Sequence, residues 1–227
     1  MIISNHLTPE QKYSNACEYY ARGGYDNYTE CFRLCKEAAE EGHFKAQELL
    51  AVLYMRGYGT KRDEEEALRW YKEAAKNGSI EAEKQIAIYE KYRRALEDYR
   101  AKISFQDYYE HDDPHIPPPE VDFTACIRLF EEAANEGCVD AQYMLGAHYM
   151  WKDEKKEWYW REKAANNGSH PAMRALANHL YAAKDYVGAL QWYAKAARIF
   201  GDAKCAFRAG LLVGKGYGDV KDYDAWP

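Results

Sequence analysis

The sequence predicts an all-α fold, a solenoid of about five antiparallel helix pairs with an insertion after the second full unit. Two observations carry that expectation: a short alanine and glycine pattern that returns along the chain, and an apolar stripe of helical period ahead of it. Glu37-Ala38-Ala39-Glu40-Glu41-Gly42, with Ala46 following, recurs as Glu73-Ala74-Ala75-Lys76-Asn77-Gly78 with Ala82. It returns as Glu132-Ala133-Ala134-Asn135-Glu136-Gly137 with Ala141, and as Lys163-Ala164-Ala165-Asn166-Asn167-Gly168 with Ala172. Lys195-Ala196-Ala197, with Gly201 and Cys205, is a looser fifth copy. Successive alanine pairs lie 36, 59, 31 and 32 residues apart.

Each position has a physical reason. Ahead of the second alanine pair, Ala67, Leu68, Trp70, Tyr71 and Ala74 share one helical face, with Glu64, Glu65, Arg69 and Lys72 on the polar side. Gly42, Gly78, Gly137 and Gly168 then stop the helix. The next helix opens at once, with a stripe at Ala46, Leu50 and Tyr54 that is repeated as Ala141, Leu145 and Tyr149. Gly57-Tyr58-Gly59 ends it, and the same shape returns as Gly216-Tyr217-Gly218. The unit is therefore a helix pair whose small residues mark close crossings, and such pairs stack because none buries its own apolar face alone.

These residues resemble the Sel-one-like repeat, a relative of the tetratricopeptide repeat. Its unit reads A-x-x-x-L-G-x-x-Y-x-x-G-x-G, then an acidic start and A-L-x-W-Y-x-x-A-A-x-x-G. Ala46 to Gly78 fits it, as do Ala141 to Tyr149 and Ala189-Leu190-Gln191-Trp192-Tyr193. The resemblance covers about residues 11–92 and 121–227. It implies a right-handed superhelix, one continuous solenoid, whose relatives mostly act as adaptors or scaffolds between proteins.

The departures from the pattern divide the chain. Residues 1–110 read as N-terminal repeats with an extended helix over 81–103, residues 111–120 as a proline-rich connection, and residues 121–227 as C-terminal repeats. Asp107 to Pro119 is expected to leave the helix, because prolines disrupt it. The third and fourth units are shorter than the first by 5 and 4 residues, trimmed in the loops at Trp151-Lys152-Asp153 and Ala182 to Asp185. The chain stops where the partner of its last helix should begin, so the end either docks, on a second copy for example, or belongs to a longer protein.

Composition excludes several classes. With 31 Lys and Arg against 37 Asp and Glu in 227 residues, the charge is −6, which argues against nucleic acid. No apolar run approaches the roughly 18–20 residues of a membrane span. Met1 to Glu10 lacks a basic start and an apolar core, so a cytoplasmic protein is expected, and the resemblance implies a bacterial one. Of the six cysteines, Cys31, Cys126 and Cys205 fall in small-residue slots of the repeat, which reads as reduced packing thiols. Ser-x-x-Lys, His-Glu-x-x-His and Gly-x-Ser-x-Gly are absent, so the chain is expected to be non-catalytic, without cofactor. His111, Asp113 and His115 supply metal-ligand types, but in a proline-rich loop with little preorganisation.

With positions 46, 50 and 54 facing the core, positions 49, 52, 53 and 56 are expected near the opposite side. Read across the units, that stripe nominates Arg56, Gln85, Tyr89, Tyr92, Met144, His148, Trp151, Asn178, His179, Arg208, Leu212 and Lys215 as partner-binding residues. Aromatic, Met and Arg residues are enriched in interfaces. The resemblance implies that the partner is another protein: a signalling or secretion component, or a basic toxin if the chain is an immunity protein. A homodimer through the C-terminal end and a cell-wall-related hydrolase or penicillin-binding protein are the alternatives.

Overall fold

The computed structural model describes residues 7–112, 121–150 and 152–218, with the side chains of 105–112 outside that description. Among the described residues there are eleven helices and no strand. They are α1 (Pro9–Arg22), α2 (Tyr25–Glu40), α3 (Phe44–Arg56), α4 (Glu64–Lys76), α5 (Ile80–Asp112), α6 (Thr124–Asn135), α7 (Val139–Tyr149), α8 (Glu154–Asn166), α9 (His170–Ala182), α10 (Tyr186–Phe200) and α11 (Ala203–Gly214). None of the described helices is long and apolar enough to cross a membrane.

Two compact units contain them, one formed by Met1–Ile86 with His170–Pro227 and the other by Ala87–Ser169. In the first, α1 to α4 pack consecutively, as do α9 to α11; in the second, α6, α7 and α8 do the same. Each is the neighbour-on-neighbour packing that the alanine and glycine pattern predicts.

The glycine stops work alike in four copies. Gly42, Gly78, Gly137 and Gly168 have φ of 88°, 91°, 100° and 92°, where a Cβ is costly. Each turn closes the helix with two bonds: Gly42 N to Ala39 O at 3.0 Å and His43 N to Ala38 O at 3.0 Å, with the same pairing at Gly78, Gly137 and Gly168. The first alanine of every pair (Ala38, Ala74, Ala133, Ala164 and Ala196) is fully buried. The second is buried at Ala39, Ala134 and Ala165 but only half-buried at Ala75 and Ala197.

A buried amide joins three helices in two of the copies. Gln47 on α3 donates to Ala39 O at 3.1 Å and accepts from the Asn77 side chain at 2.9 Å. Gln142 on α7 donates to Ala134 O at 2.9 Å and accepts from Asn167 at 3.0 Å. Both glutamines are almost inaccessible, at 3% and 1%, so the bonds satisfy amides that would otherwise be stranded. All six cysteines are free, and Cys31, Cys126 and Cys205 are buried in the slots the repeat assigns them.

The structure corrects one expectation. Helix α5 runs through Asp112, beyond the break expected at Asp107, because Pro114 restricts only the residue just before it and its own turn. Residues 113–120, the rest of the expected connection, lie outside the described residues. Within the first unit, helices distant in sequence also meet, in addition to the nearest-neighbour packing of a solenoid. Helix α10 contacts α2, and Phe200 lies 5.6 Å from Tyr58 and stacks on His170 at 4.4 Å. Gly201 faces the Tyr25 ring at a distance that a Cβ would close to 3.1 Å.

Candidate protein-binding groove

The second unit carries an open groove of about 750 Å³. It is lined by Val121, Asp122 and Phe123 leading into α6, by Thr124, Ile127, Arg128 and Glu131 on one face of α6, by His148 near the end of α7 and by Lys152 in the turn after it. The spacing of Thr124, Ile127, Arg128 and Glu131 is that of one helical face. Asp122 fixes the entry to α6, accepting from Thr124 N at 2.8 Å, and the Thr124 hydrogen bonds hold its carboxyl below the ordinary value. Phe123 lies against Tyr99 of α5 with ring centroids 5.1 Å apart, and the Lys152 ammonium stands 5.5 Å over its ring.

His148 forms the inner wall. Its ring lies 5.9 Å from Phe123 and 5.7 Å from Tyr99, whose hydroxyl is 3.3 Å from Nδ1. Burial, reinforced by the Lys152 charge, pushes its pKa down to about 4, so the ring is neutral at neutral pH. Burial also raises the Tyr99 pKa, keeping its hydroxyl protonated beside the imidazole. Glu131 on the outer edge accepts from the Tyr149 hydroxyl at 3.4 Å. The groove thus offers aromatic and aliphatic surface between charges of both signs, a combination suited to a peptide segment.

Of the residues nominated from sequence, His148 lies in this groove and Met144 is half-buried on the same helix. Tyr89 and Tyr92 are each only 6% exposed, and Tyr92 packs 6.0 Å from Phe130; they serve the core, not a free surface. Leu212 is likewise buried at 2%. The reason is geometric: positions 46 and 53 lie about two full helical turns apart, so position 53 and its equivalents Tyr89 and Leu212 stack over the core stripe. Leu53 itself is fully buried.

In the first unit, Arg56, Gln85 and His179 are half-buried, and Asn178, Arg208 and Lys215 exposed. The structure brings two of these together. The Tyr193 hydroxyl donates to Asn178 Oδ1 at 2.7 Å, and Arg208 Nη1 donates to the Tyr193 oxygen at 2.9 Å and to Asn178. Trp151, Asp113, His115 and the side chain of His111 lie outside the described residues; among those described, no group of three or more His, Cys, Asp or Glu side chains is placed to hold a metal ion. Phe123, Ile127, Glu131 and Lys152 were not foreseen. The trimmed loop after Tyr149 is the signal that marks them, once Phe123 is aligned with Tyr28.

The Sel1 repeat model matches residues 13–43, 44–79, 107–138, 139–151 and 170–198, more than half of the chain. The chain belongs to the Sel1 repeat family. Two curated relatives are named exopolysaccharide production negative regulators. One, from Rhizobium leguminosarum bv. viciae, is 25% identical over 79% of this chain and 64% of its own length. The other, from Rhizobium meliloti, is 27% identical over 71% of this chain and 58% of its own length. The chain therefore spans less than two thirds of either relative. Among solved structures, a Sel1 repeat protein from Oxalobacter formigenes is similar, with 24% identity, a TM-score of 0.33 and coverage of 92% of this chain and 88% of that one. An immunity protein from Pseudomonas aeruginosa is 19% identical with a TM-score of 0.38, covering 99% and 90% of the two chains.

Proposed function

We propose that this chain is a non-catalytic scaffold that binds another protein through the groove between α6 and α7. The observation that supports this reading is the groove itself: an open, mixed-polarity surface on a repeat frame whose alanines, glycines and thiols are spent on helix crossings. Ile127 is the residue whose replacement disturbs recognition most directly, because its half-buried side chain lines the groove and a carboxylate there puts charge on apolar wall.

The test is affinity capture from native lysate with the immobilised chain and its Ile127→Asp variant, quantified side by side. The reading expects at least one captured protein to be lost with Ile127→Asp while the variant keeps its helical spectrum; identical capture by both would contradict it. The identity of that protein sets the narrower role. The names of the Rhizobium relatives direct attention first to components controlling exopolysaccharide production. A basic toxin would instead make the chain an immunity protein, the role that its net charge of −6 also suits.

A further inference from the structure

Helices α2 and α10 and the residue capping α6 share an aromatic at one repeat position: Tyr28, Tyr186 and Phe123 each stand 10 residues before the first alanine of their pair. In two of the three, the loop that ends the next helix lays a tyrosine on that ring. Tyr58 stacks on Tyr28 with centroids 4.4 Å apart and planes at 19°, and Tyr217 lies on Tyr186 at 4.4 Å and 41°. Both tyrosines sit in a Gly-Tyr-Gly loop. Gly59 passes so close to α2 that a Cβ would come within 2.1 Å of the Tyr28 carbonyl oxygen, so the ring is delivered by a loop pressed onto the helix.

Phe123 breaks the rule. Helix α7 ends at Tyr149 and α8 is already capped by Asp153, so the 5 residues equivalent to Tyr58 to Arg62 are missing. The groove opens at the ring that this loop would have covered, where the flexible Lys152 side chain now holds its ammonium 5.5 Å over the ring and gives way to an entering aromatic. We propose that it receives a tyrosine side chain from the partner protein, carried on a glycine-flanked segment and stacked on Phe123 as Tyr58 is stacked on Tyr28. The occupant is thus defined by the molecule's own two examples. The Glu131 carboxylate at the groove edge offers an acceptor for the hydroxyl, while Phe123 and Ile127 take the ring. This inference rests on the scaffold reading and names the chemistry by which the same groove recognises its partner.

A peptide with the chain's own sequence from Met55 to Arg62, Met-Arg-Gly-Tyr-Gly-Thr-Lys-Arg, is the probe, beside a version with alanine for its tyrosine. Added to the isotope-labelled full chain, the tyrosine peptide is expected to shift the amide signals of Phe123, Ile127, His148 and Lys152. The alanine peptide should bind about tenfold more weakly or worse, as should the tyrosine peptide to a Phe123→Leu chain, which keeps apolar volume but loses the stacked ring. No shifts, or equal shifts with both peptides, would overturn the inference. Binding seen only with a Trp151→Ala chain would overturn it too, by showing that the chain fills its own groove. Loss of lysate capture with Ile127→Asp, combined with a silent tyrosine peptide, would refute the aromatic anchor and leave the scaffold reading standing; failure of both would remove the groove from the account.

Discussion

At the residue scale, His148 ties burial to a measurable quantity. Unfolded, the imidazole takes up its proton near its ordinary value of 6.5, whereas folded it does so at about 4, because burial and then Lys152 oppose the charge. Between those values the unfolded chain binds more protons, so this residue's contribution to stability is intact above about 6.5 and declines as the pH falls toward 4. An NMR titration of the His148 ring should give a midpoint near 4, and His148→Gln should flatten the stability loss across that window. A midpoint near the ordinary value would mean that the ring is solvated and the inner wall of the groove is absent. From sequence, His148 was legible as a surface candidate but its neutrality was not, since Tyr99 and Phe123 reach it from other helices.

At the scale of the element, alanine and glycine positions were readable because their demands are local. A positive φ after a helix and a close crossing each restrict one residue type at one spacing. The glutamine bridges were not readable in this way: Gln47 and Gln142 look like solvated polar residues until the carbonyls of Ala39 and Ala134 are placed beside them. Nor was the width of the buried arc. A first helix packs against helices before and after it, so burial reaches Ala46, Gln47, Leu50, Ala51 and Leu53, and the single stripe drawn from sequence misassigned Tyr89 and Leu212. Gln142→Leu should cost about 1–3 kcal/mol in urea denaturation, because it removes the amide joining α6, α7 and the turn after α8. The half-buried Gln85, replaced by leucine, should change stability by no more than about 0.5 kcal/mol. Equal costs would show that the buried amide is not a joint.

At the scale of the molecule, repetition supplies the frame and, in the proposed function, the means of recognition. Copies that keep the Gly-Tyr-Gly loop close their own aromatic position, and of the two shortened copies the one that has an aromatic there leaves Phe123 lining a groove. The shortened interval was visible in the sequence, but its consequence was not, because nothing local says that Tyr58 lies on Tyr28. The meeting of α2 with α10 was equally hidden, since it joins residues far apart along the chain. The most direct test restores the lost segment by inserting Tyr-Gly-Thr-Lys-Arg between Lys152 and Asp153. The account predicts that the inserted tyrosine covers Phe123, raises the melting temperature by about 2–4 °C for each kcal/mol gained, and abolishes binding of the tyrosine peptide. An insertion that lowers the melting temperature and leaves peptide binding unchanged would contradict it.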